Sequence, residues 1–147
     1  MISHPKLDIA AVEPSPDLKW VAFHLPGVTN TPVKIAPLRD GRAAGESEWI
    51  TVAAYPGRNL RPWWSPDGNL LYFLSAKDNY PDIWAQRLHP LTKRPVGEAF
   101  AIYHFHETRK APNFLATAAF GPAVGKSQIT FSLLEQSANI WIGEQSQ

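Results

Sequence analysis

Apolar residues along this chain fall into short runs, among them Val21-Ala22-Phe23, Leu70-Leu71-Tyr72-Phe73-Leu74 and Ile129-Thr130-Phe131, each closed off by turn-forming residues. Runs of β-branched and aromatic residues at this length, bounded by proline, glycine, aspartate and asparagine, are the pattern of strands. Long helices are not predicted. The strongest turn is Ser65-Pro66-Asp67-Gly68, and a degenerate copy, Ser15-Pro16-Asp17-Leu18, precedes it by 50 residues. Proline presets φ at the second position, serine and aspartate bond local backbone groups, and glycine accepts the left-handed geometry that opens the next strand. Leu18 takes the place of that glycine, so a left-handed leucine costing about 1 kcal/mol is expected there. Asn79 is the residue best suited to the same conformation in the following turn.

Aligning Phe23, Phe73 and Phe131 brings Ile35, Trp84 and Trp141 into register ten to twelve residues later. Three copies of one unit follow. In the second copy, strands are expected at 61–64, 70–75, 82–88 and 100–105; in the first, at 9–12, 20–24, 33–38 and 49–53. The polar, glycine-bearing segments 38–48 and 89–98 are expected as exposed hairpin loops. The third copy runs through 114–120, 129–134 and 139–143 and lacks its fourth strand. A repeat of this period joining turns, strands and apolar anchors points to propeller blades. The expected fold is all-β: a partial β-propeller of about three four-stranded antiparallel blades, near 9–55, 59–106 and 112–143, forming one segment over 1–147.

Composition narrows the function. Lys plus Arg number 14 and Asp plus Glu 13, without a basic block, so neither nucleic acid nor an anionic membrane is an expected partner. Cysteine is absent, which removes disulfides, thiolate nucleophiles and cysteine-based metal sites. The opening residues hold no signal-peptide core, and no stretch approaches the ~18 apolar residues of a membrane span. The compartment stays open: cytoplasm, or periplasm for a piece of a longer exported protein.

Candidate chemistry is sparse. Val124-Gly125-Lys126-Ser127 lacks the first glycine, strand and helix of a phosphate-binding loop and reads as a hairpin turn. Gly45-Glu46-Ser47-Glu48-Trp49 has tryptophan where a nucleophile elbow needs glycine. His104 and His106, two apart on one strand, share a face at a spacing compatible with two zinc ligands, but a third ligand is not evident, so hydrogen-bonded histidines without a metal are expected. Asp78 to Asp82 offers oxygen ligands without calcium-loop spacing and is read as a turn. Arg61 and Trp63, on the innermost strand of the second unit, are the candidates for a ligand at the channel mouth. Trp64, Trp84, Trp141 and Ile35 are expected as core.

The stretch Ser65-Pro66-Asp67-Gly68-Asn69-Leu70-Leu71-Tyr72-Phe73-Leu74-Ser75, followed by Asp82-Ile83-Trp84-Ala85 and by Arg94 through His106, resembles the TolB-like β-propeller repeat with its Trp-Ser-Pro-Asp-Gly signature. The resemblance covers about residues 10–143. It looks most like the last blades of large bacterial proteins in which such propellers follow a kinase or a winged-helix module. It implies four-stranded blades around a central channel, used as an interaction platform, and relatives that are often periplasmic. Propellers close with roughly four to eight blades, so a fragment of a longer propeller is favoured over an open partial ring or a homo-oligomer that completes the circle. The expected function is a non-enzymatic module binding protein or peptide, with no cofactor. The alternative is an accessory or sensor propeller belonging to a larger serine peptidase, kinase or winged-helix regulator.

Overall fold

The computed structural model of the protein describes residues 2–80, 82–105, 110–112, 123–125 and 127–135. The described residues are all-β, with curled antiparallel sheets and one three-residue 3₁₀ turn at Glu46–Glu48. The first sheet holds β1 (Ala10–Pro14), β2 (Trp20–His24), β3 (Val33–Arg39), β4 (Arg42–Ala43) and β5 (Ile50–Ala53), ordered β1-β2-β3-β4 with β5 also on β3. The second is a meander of β6 (Asn59–Trp64), β7 (Leu70–Ser75), β8 (Asp82–Leu88) and β9 (Pro95–Tyr103). Two short ribbons follow: β10 (Lys110–Pro112) pairs with β13 (Leu133–Glu135), and β11 (Ala123–Val124) with β12 (Ile129–Thr130).

The turn between the first two strands is the same in both sheets. Leu18 and Gly68 donate their N–H groups to the carbonyls of Ser15 and Ser65, and the left-handed φ expected at these positions is present, +57° and +67°. In each turn the serine hydroxyl donates to the aspartate and accepts the N–H of Trp20 or Leu70, the first residue of the next strand. Asn79 is left-handed as well, at φ +73°. The matching hydrogen bonds explain why serine and aspartate recur at these places.

Three expectations change. The segment after β8 is a short hairpin, not a long loop: Leu88 pairs with Pro95, so β9 starts five residues earlier than the sequence suggests. His89 closes it, its carbonyl accepting the N–H of Lys93 and its Nδ1 those of Leu91 and Thr92. Lys93 is buried in consequence, with Nζ donating to the Gly68 carbonyl at 2.8 Å. Second, the single strand expected at 129–134 is two strands separated at Phe131 and Ser132. Third, Phe23 pairs with Lys34 whereas Phe73 pairs with Trp84, so Ile35 and Trp84 are not equivalent positions. They belong instead to opposite sides of one shared core.

That core lies between the sheets. Ala22, Val33, Ile35 and Val52 from the first pack with Trp64, Leu71, Phe73 and Trp84 from the second. Complete burial of side chains such as Ile35 and Phe73 contributes about 1.5–3 kcal/mol each. The Trp64 indole N–H crosses to the Glu13 carbonyl at 3.0 Å, which satisfies a buried donor and fixes the two sheets against each other. The outer face of the first sheet packs Val21, Phe23 and Leu25 under Ile2, Leu7, Ile9 and Trp49. The outer face of the second carries Trp63, Leu74, Ile83 and Phe105, with Val124 and Phe131 packed on them. Trp141 and the strand expected at 139–143 lie outside the described residues.

Candidate functional site

Strand register gathers one end of each sheet on the same side of the molecule. Ala10 pairs with His24, which pairs with Val33 in the first sheet, while Asn59 pairs with Ser75, which pairs with Asp82 in the second. Asn59 links the two ends. Its fully buried amide donates to the carbonyls of Asn30 and Tyr55 at 2.6 and 2.8 Å and accepts the Ser75 hydroxyl at 2.7 Å. A buried amide satisfied at both ends holds the surrounding loops in one arrangement.

Between these ends lies an open pocket of about 500 Å³, bounded by Ala10 and Ala11 of β1, His24, the turn after β2 including Thr31, and Arg58, Leu60 and Arg61. Arg61 therefore does line a pocket. The backbone here departs from regular strand in both sheets: Ala11 and Arg61, 50 residues apart, have φ of +50° and +52° within bulges of β1 and β6. The bulge breaks the two-residue alternation, so Arg61 and Trp63 do not share a face. Trp63 is buried among Leu74, Ile83 and Phe105 and does not reach the pocket. Its place is core.

Among the described residues, two arginines and a histidine line the pocket and no carboxylate does. Arg58 is exposed at the rim and Arg61 half-buried on the wall. His24 is 8% exposed, with Nδ1 facing the Arg61 N–H at 3.4 Å. Burial, then the charges of Arg61 and Arg58, push its pKa down to about 4, so the imidazole is neutral near pH 7. With Nδ1 accepting, the ring proton sits on Nε2. Burial also lowers Arg61 from its ordinary value, but a guanidinium stays charged. The site is cationic through its arginines, beside a neutral histidine.

His24 and Arg58 are not evident from motifs. The repeat does carry a signal for His24, because the position 50 residues later is Leu74, a buried core residue. A polar side chain where the repeat requires an apolar one marks a departure with a cause beyond packing.

A second grouping lies at the same end of the second sheet. His104 Nδ1 is 2.7 Å from Asp82 Oδ2 and 3.3 Å from Asp78 Oδ2, and the three ligand atoms lie within 4.8 Å of one another. Asp82 and His104 are 22 residues apart in sequence and show no ligand spacing there; the fold joins them. Asp82 is fully buried, and its Oδ1 accepts the Phe105 N–H at 2.7 Å. Three such donors could hold a divalent cation, yet His104 Nδ1 stands at hydrogen-bond distance from Asp82. The arrangement works as a clasp that fixes the end of β9 to the start of β8. His106, the other histidine of the pair, lies outside the described residues.

The described residues of the remaining motifs lie in turns. Gly125 donates its N–H to the Gln128 carbonyl in the β11–β12 hairpin, and Ser47 lies in the 3₁₀ turn followed by Trp49, whose indole donates to the Ala44 carbonyl. No protein-family model matches the chain, and no match is found among curated proteins.

Proposed function

We propose that the chain is part of a TolB-like β-propeller, about three blades long, that acts as a non-enzymatic module for binding protein or peptide. The observation that carries this reading is the 50-residue repetition of the Ser-Pro-Asp turn in two antiparallel sheets stacked face to face. A unit that buries one face on its neighbour and offers an equivalent face to the next is the building logic of propellers. The pocket end, where turns and strand ends converge on a rigid frame, is the natural place for recognition.

On this reading the ring is completed by further blades, supplied by the rest of a longer chain or, alternatively, by a second copy of this one. The test is absolute mass by light scattering after size exclusion at several concentrations. Concentration-dependent association through the open edges is expected for a piece of a longer propeller and a defined oligomer for a ring closed by copies of this chain; a cooperative monomer at every concentration overturns the need for further blades. Turnover of any substrate that is lost on replacing a polar residue of this chain would overturn the non-enzymatic reading.

A further inference from the structure

We propose that the pocket formed by His24, Arg58 and Arg61 binds a carboxylate of an acidic peptide. The inference rests on the interaction-module reading and names the chemistry its ligand would carry. Two arginines stand at one cavity, and among the described residues no carboxylate lines it. Arg58 forms no ion pair with the described residues, so its charge is available at the rim. Arginine offers paired N–H donors in a planar fork that matches the two oxygens of a carboxylate. His24 adds a neutral N–H through Nε2.

Size and wall chemistry favour a peptide over a small inorganic anion. About 500 Å³ exceeds what one phosphate or carboxylate occupies, and Ala10, Ala11 and Leu60 supply apolar wall for the methylenes and backbone that a peptide brings with its acid. Nucleic acid is a poor fit. Its affinity comes from many phosphate contacts, and the chain carries a formal net charge of only +1. The site is also preorganised, because Asn59 ties together Asn30 and Tyr55, which flank the segments that line it. Less ordering is then needed when ligand arrives.

The experiment titrates the intact chain with a pool of short C-terminally amidated peptides carrying glutamate at a fixed position and random flanks free of aspartate and glutamate. A matched pool with glutamine there, and inorganic phosphate, are titrated in parallel. Binding is read from the NMR shifts of the arginine Nε–Hε groups. The glutamate pool is expected to move the Arg58 and Arg61 signals, the glutamine pool is not, and Arg58→Gln should weaken binding by about tenfold or more. Equal responses to both pools, or unchanged affinity in Arg58→Gln, would overturn the proposal. Phosphate that competes as well as the glutamate pool would leave an anion site and overturn the peptide assignment. The readout is independent of mass: a peptide-binding monomer retains the pocket without the ring, and an oligomer with silent arginine signals retains the ring without the pocket.

Discussion

Leu18 and Gly68 occupy the same place in two copies of one turn, and both are left-handed. The leucine carries strain that glycine does not, roughly 1–2 kcal/mol, of which glycine's greater entropy loss on folding offsets about 0.5–1 kcal/mol. Leu18 is 69% exposed, so little packing is forfeited on removing it. Leu18→Gly should therefore raise stability by about 0.5 kcal/mol, and Gly68→Ala should lower it by about 1 kcal/mol, both read from urea midpoints at constant slope. The Gly68 penalty comes from the backbone, since an added Cβ would lie 3.7 Å from Lys93 Nζ, an ordinary contact. His24 sets a different dependence. Its folded pKa of about 4 lies below the ordinary 6.5, so between those values the unfolded chain binds more protons. Its contribution is complete above about pH 6.5 and is lost as pH falls toward 4, at no more than about 1.4 kcal/mol per pH unit. Urea midpoints across this range should fall less steeply in His24→Gln than in the native chain.

At the scale of elements, the hairpin between β8 and β9 shows how a polar segment becomes core. Lys93 is 5% exposed, and its ammonium reaches the Gly68 carbonyl and, at 3.3 Å, the Asn69 side chain, so the hairpin is moored to the Ser65 turn. Lys93→Met retains the stem and removes the donor, leaving a carbonyl without its partner. A loss of about 1–3 kcal/mol is expected in chemical denaturation. The sequence marks 89–98 as polar and glycine-bearing, which resembles an exposed loop; it cannot disclose that the turn before β7 presents a carbonyl to the lysine. By contrast, β2, β7 and β8 are legible nearly to the residue, because turn chemistry and apolar runs are local. Arg61 is legible as a pocket residue, whereas Trp63 is not separable from it without the bulge, which reverses the order of faces along β6.

For the whole molecule, the 50-residue repeat makes the shared core asymmetric in sequence yet regular in construction. Ile35 and Trp84 look like copies of one another in an alignment and prove to be partners across the interface. The sequence identifies both as core because both are apolar at recurring spacing; only the pairing of Phe23 with Lys34 shows that they serve opposite faces. The candidate site is less legible for the same reason, since it is assembled from the ends of β1, β2 and β6 and the turns beside them, which are distant in sequence.

The bond from the Trp64 indole to the Glu13 carbonyl spans 51 residues and joins the two sheets through a single shared proton. That proton is consequently a clock. Its exchange with solvent deuterium requires this bond to open, so its lifetime records how often the sheets part at that point. An indole signal that outlasts most backbone amides would make separation of the sheets as rare as unfolding itself, and the pair of sheets, not either one alone, would be the smallest unit that breathes as a whole.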